Sequence, residues 1–271
     1  MKSHASARRV LALVGHRPGV QTLWLVSKLH SHRGVDLLGV APQREDEVPV
    51  RGWTKLTRRL LTDRLRNAQE HLLDELFDGQ SLRRWWSEEA SVMTGFPSLD
   101  HPHAAPGIAA LAPDVIVFFR RTGPATSLAA LPGRRVLVAR IGNRSVEDAM
   151  DAVVQSIAQE RAERLTLTIH EVNPGGDSER CLWSASPQIA PGDTGESILL
   201  KAAAELSVAL ARGVDAALAS AGRLDEATYD TTPVHAERAE SEATAFRTWL
   251  TYLRSARGRH SRYVYERAVR C

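Results

Sequence analysis

Apolar positions along this chain fall into short unbroken runs separated by amphipathic stretches. Arg9 to Val14 has the length and character of a buried strand, and Val20 to Leu29 follows a Pro-Gly turn as a helix. Val35 to Ala41 predicts a second strand. Trp53, Leu56, Leu60, Leu61, Leu65, Ala68, Leu72 and Leu76 recur at three- and four-residue steps, the mark of a long amphipathic helix. Val92 to Phe96, Val115 to Phe119 and Val136 to Ile141 predict further strands. Ser145 is placed to cap a helix with the apolar face Val146, Met150, Val153 and Ile157. Leu165, Leu167 and Ile169 alternate as in a half-buried strand, and a shorter strand is expected near Leu182 to Ala185. A long helix begins at Asp193-Thr194 and turns Ile198, Leu199, Ala202, Leu206, Leu210 and Val214 inward. Strands alternating with helices imply the α/β class: a mostly parallel sheet covered by helices on both faces.

Composition narrows the picture. The chain has 271 residues, 43% hydrophobic and 25% charged, enough for an ordinary globular core. Cys181 and Cys271 cannot build a disulfide framework and show no CxxC spacing, so a reducing, cytoplasmic setting is expected. Lys2, Arg8 and Arg9 precede an apolar run, Val10 to Val14, too short for a signal peptide. No stretch approaches the roughly 18 apolar residues of a spanning helix, so no membrane role is expected. The net charge of +3 implies no partner by itself. Its distribution is less even: Arg254, Arg257, Arg259, Arg262, Arg267 and Arg270 face one acid, Glu266, with Tyr263 and Tyr265 interleaved. A solvated tail is the plain reading, and an RNA- or anion-binding tail the sharper one.

Several constellations carry little chemistry. Gly15-His16-Arg17-Pro18-Gly19 is not GxGxxG, so it makes a poor nicotinamide site, although such a turn could aim amides at an anion. His30 with His32, and His101 with His103, lack a carboxylate or cysteine at ligand spacing, and no metal site is expected. His170 is opposite in parity to Leu167 and Ile169, which predicts a partly exposed strand residue. Ser145, Ser184 and Ser197 sit in no GxSxG turn. In the helix predicted from Trp53 to Phe77, Lys55, Arg58, Arg59, Arg64 and Arg66 crowd the first half and Glu70, Asp74 and Glu75 the end. Charges so placed oppose the macrodipole, and with Trp85-Trp86 they suggest a contact element for a protein partner or a second copy of the chain.

The stretch from 111 to 211 carries a resemblance. Leu111-Ala112-Pro113-Asp114-Val115-Ile116-Val117 resembles the "LxPDxIV" strand entry of the folate-dependent formyltransferases. Leu165-Thr166-Leu167-Thr168-Ile169-His170-Glu171-Val172 is similar to their "TGVTIHxV" strand. Asn173-Pro174-Gly175-Gly176-Asp177 matches the loop presenting the family's aspartate, and Ile189-Ala190-Pro191-Gly192-Asp193-Thr194-Gly195-Glu196-Ser197 the helix start "I-x-P-x-D-T-x-x-S". The resemblance implies a Rossmann-type formyltransferase-like domain over 8–220, with 53–86 as an insertion and 222–271 as a helical, basic extension. It also implies 10-formyltetrahydrofolate as the cofactor, with Phe119, Arg120, Val172 and Gly176 as cofactor-binding positions and Asp177 as the catalytic carboxylate.

The departures are as telling. In register, Val138 stands where the family has the asparagine of its Asn-x-His pair, and Arg140 where it has the histidine. The family's acceptor loop, "PSLLPxYRG", is replaced by Gly142-Asn143-Arg144-Ser145. Formyl transfer to an amine develops an oxyanion, and losing one donor to it typically costs about 10²–10³ in rate. Valine donates nothing, and arginine accepts no proton at neutral pH. The chain therefore reads as a divergent relative that acts by binding. An active formyl or related acyl transferase using Asp177 and Arg140 is one alternative, and an RNA- or anion-binding module centred on the basic tail is another.

Overall fold

The computed structural model describes residues 8–15, 18–33, 35–41, 70–93, 104–119, 134–173, 178–219 and 232–233, with a few positions around Tyr252. Its strands are β1 (Arg8–Leu13), β2 (Val35–Ala41), β3 (Ser91–Met93), β4 (Val115–Phe118), β5 (Arg135–Ile141), β6 (Arg144–Ser145), β7 (Leu167–Val172), β8 (Ser178–Ala185) and β9 (Thr232–Pro233). They form one sheet in the order β3-β2-β1-β4-β5-β7-β8-β9, with β6 hairpinned onto β5. From β3 to β5 every pairing is parallel, and β7, β8 and β9 continue antiparallel. The α/β expectation holds, with an antiparallel edge added.

The helices are α1 (Val20–His30), α2 (Gly79–Trp85), α3 (Ala104–Ala110), α4 (Ala149–Ala158) and α5 (Gly195–Ala219), and residues 70–77 are helical as well. Period-two alternation divides the strand side chains between two cores. Val10, Ala12, Val117, Leu137, Ala139, Ile141 and Ile169 join α1, α4 and α5 in the larger one. Leu11, Leu13, Ile116, Phe118, Val136, Val138 and Val172 meet Ala104 and Ile108 of α3 in the smaller one. Helices thus cover both faces, as the alternation of elements requires.

Two of the motifs behind the resemblance have structural explanations. Asp114 Oδ2 accepts the Arg9 amide at 2.8 Å while the Asp114 amide donates to the Arg9 carbonyl, also at 2.8 Å, so this aspartate sets β1 against β4. Asp193 Oδ2 accepts from the Ala190 amide (2.6 Å) and Lys201 Nζ (2.7 Å), and Thr194 Oγ1 accepts the Ser197 amide at 3.3 Å. The Asp-Thr-x-x-Ser pattern is therefore a capped start for α5, where the first amides otherwise lack partners. The Lys201 hydrogen bond, then that from Ala190, holds the Asp193 carboxyl below its ordinary pKa.

Some expectations need correction. Leu165 is buried but precedes β7, and β8 starts at Ser178, well before Leu182. Ser145 N-caps a 3-10 turn, Val146–Asp148, rather than α4 itself. In the 70–77 segment the inward residues are Leu73 and Phe77, and Leu76 is exposed, because the helix docks edge-on to α1 through Phe77 and Trp24, 5.7 Å between ring centroids. Trp85 stacks edge-to-face on His30 at 5.4 Å and, like Trp86, is partly buried against the larger core. Residues 53–69, with the basic half of the predicted helix, lie outside the described residues.

Candidate functional site

The antiparallel edge places the chemistry. Val138 is opposite His170 and Arg140 opposite Thr168 across β5 and β7; His170 is opposite Cys181 and Val172 opposite Glu179 across β7 and β8. A register shift at Ile169/His170 inserts Leu182 as an extra residue of β8. By alternation Val138, Arg140, His170 and Glu179 share one face, the side of the smaller core.

On that face Arg140 crosses β7 to reach Glu179. Its guanidinium donates to both carboxylate oxygens, NH1 to Oε2 at 2.7 Å and NH2 to Oε1 at 2.8 Å. The pair is well shielded, with side-chain exposures of 17% and 3%. Two parallel N–H···O bonds match the guanidinium fork to the carboxylate. His170 lies between them, its Nδ1 3.6 Å from Glu179 Oε2 and without a hydrogen bond among the described residues. Burial, and then the positive charge of Arg140, push the His170 pKa below its ordinary value, against an opposing pull from Glu179. A neutral imidazole beside one guanidinium and one carboxylate leaves the cluster without net charge. Its parity agreed with the sequence, but the strand partners bury His170 further than a partly exposed strand residue.

A second cluster occupies the opposite face. Glu171, with its side chain 3% exposed, accepts from Arg180 NH2 at 2.7 Å and faces Arg135 Nε at 3.2 Å. Neither buried glutamate was found by sequence reasoning. The signal was there for Glu171, a charged residue sharing parity with Leu167 and Ile169 in a strand. Glu179 gave none, since its strand was expected to begin later.

The other expected site residues fare differently. Val138 is buried in the smaller apolar core, as is Val172. Phe119 is fully buried in the larger core and donates its amide to the Leu13 carbonyl at 3.0 Å, so it offers a ligand no side-chain surface. Asp177, Gly176 and Arg120 lie outside the described residues, as do His101 and His103 and most of the basic tail. The 174–177 loop is closed at its base by the Asn173 amide on the Ser178 carbonyl, 3.0 Å. His30 and His32 diverge: His30 meets Trp85, and His32 Nε2 lies 3.0 Å from Asp215. Among the described residues no group of three or more His, Cys, Asp or Glu could hold a metal ion, and no helix is long and apolar enough to cross a membrane.

Transfer from 10-formyltetrahydrofolate requires hydrogen bonds to the developing oxyanion. Val138 has none to give, and the charge of Arg140 is balanced by Glu179, so the described residues do not fit that step. No protein-family model and no curated protein matches the chain. The solved structures similar to it include three formyltransferases. They are a sugar N-formyltransferase from Shewanella sp FDAARGOS_354 (10% identity, 79% of this chain and 70% of that one, TM-score 0.46), glycinamide ribonucleotide transformylase 1 from Symbiobacterium toebii (13%, 79% and 87%, 0.46) and phosphoribosylglycinamide formyltransferase from Anaplasma phagocytophilum (14%, 78% and 86%, 0.47).

Proposed function

We propose that this chain is a formyltransferase-like protein that does not carry out ordinary 10-formyltetrahydrofolate-dependent N-formyl transfer and acts by binding a ligand or partner. The observation that carries this reading is the Arg140–Glu179 pair. At the two positions matching the Asn-x-His pair stand a buried valine and an arginine held by a buried carboxylate two strands away. Each lost oxyanion donor is worth about 10²–10³ in rate, and a carboxylate at Asp177 cannot supply that stabilisation.

The test is an assay with 10-formyltetrahydrofolate and amino-sugar or amino-acid acceptors, with products read by mass spectrometry. No product above the uncatalysed background is expected. The double change Val138→Asn, Arg140→His also stays inactive, because Glu179 then loses its guanidinium partner and the acceptor loop is still the Gly142-Asn143 turn. Steady turnover by the unmodified protein, abolished by Asp177→Asn without a change in melting, would refute the proposal.

A further inference from the structure

In open α/β sheets, ligands gather outside the carboxyl ends of the strands where the strand order reverses. Here that point is β1, with β2 on one side and β4 on the other. An amide at the end of such a strand, just before a helix N-terminus, favours an anion. In this protein an anion is already there. The Gly15 amide donates to Glu147 Oε1 at 2.6 Å, across 132 positions of sequence.

The contact is reciprocated. Gln21, in the first turn of α1 and only 5% exposed, donates its side-chain amide to the carbonyls of Val146 (3.3 Å) and Glu147 (3.1 Å). The turn from β1 into α1 therefore grips the backbone of 146–147, and Glu147 grips the turn in return. Gly19 makes room for this: a Cβ there would meet the Gln21 side-chain nitrogen at 2.8 Å. The 3-10 turn Val146–Asp148 follows directly on the β5–β6 hairpin, so the carboxylate comes from the neighbouring strand connection.

We propose that Glu147 is an autoinhibitory carboxylate that fills the anion position at the carboxyl end of β1 and shuts this crevice to phosphate-bearing ligands. The inference is independent of whether formyl transfer survives. A phosphate must displace a charge-assisted hydrogen bond and overcome repulsion from a like charge before it reaches the Gly15 amide. Its apparent affinity is lowered by the small fraction of molecules in which the carboxylate has swung away.

The experiment titrates the intact chain with inorganic pyrophosphate against a sodium chloride control of equal ionic strength, following the Gly15 amide resonance and the heat of binding. The wild type is expected to show no saturable Gly15 shift. Glu147→Ala is expected to show one, with affinity at least about tenfold above any binding by the wild type. Glu147→Gln keeps shape and a carbonyl acceptor without the charge, and is expected to fall between them; it also serves if the alanine variant melts early. A saturable Gly15 shift in the wild type, or none in the two folded variants, would overturn the proposal.

Discussion

Arg140 and Glu179 clasp one another across an intervening strand, joining β5 to β8 over the imidazole of His170. The two charges belong to different strands separated by β7, and neither is exposed enough for water to replace the other. Charged groups so buried are far costlier alone than together, and this decides what substitutions at either end will do.

Arg140→Met keeps the aliphatic stem but leaves a carboxylate 3% exposed without its cation. Breaking a buried pair from one side costs about 3–5 kcal/mol, whereas replacing both partners by apolar groups is often neutral. Urea unfolding should therefore show a large loss in Arg140→Met, and most of it restored in Arg140→Met/Glu179→Leu. A single variant as stable as the wild type would show that the pair bears no weight.

His170 sets a pH dependence of definite sign. Its folded pKa is lowered by burial and by Arg140, while the unfolded side chain titrates near its ordinary value of about 6.5. As pH falls through that range the unfolded chain takes up a proton that the folded chain resists, so this contribution to stability is present above about pH 6.5 and lost as pH falls through the folded pKa. Unfolding measured from pH 8 to pH 5 should show the wild type losing stability relative to His170→Gln. The reverse slope would mean that Glu179, not Arg140 and burial, governs the imidazole.

Gly195 opens α5 beneath Tyr252, whose side chain is fully buried. A Cβ at Gly195 would come within 2.7 Å of the tyrosine hydroxyl and 3.0 Å of the Met150 methyl. Gly195→Ala is expected to cost about 1–3 kcal/mol, the usual penalty of overpacking. In a Tyr252→Phe background the cost should shrink, since the nearest clashing atom is gone; a thermal-melting double-mutant cycle measures the coupling. Equal costs in both backgrounds would place Tyr252 elsewhere.

Gly142 starts the two-residue turn between β5 and β6 with φ at +64°. Glycine at the first turn position suits this geometry, and other residues there enter the left-handed region at roughly 1–2 kcal/mol. Gly142→Ala should lower stability by about that amount in chemical denaturation. Space is not the obstacle, because the nearest atom, the Ala152 Cβ, would be 3.4 Å away.

The sequence by itself determined the elements with a strong local period. Val115–Phe118 and Arg135–Ile141 lie within a residue or so of their apolar runs, and α5 shows the inward face its spacing predicts. These follow from alternation and from the 3.6-residue repeat, which act over a few neighbours. It also placed Val138 and Arg140 on one face, since their parity is fixed once the strand is. Tertiary structure alone decided what that face holds. Arg140 meets Glu179 because β7 and β8 fold back antiparallel and a register shift fixes their pairing, and Gly15 meets Glu147 because two strand connections converge at the sheet's carboxyl edge. Both contacts join residues far apart in the chain, and a charged side chain's partner depends on which backbone arrives beside it, a long-range matter that no local pattern encodes.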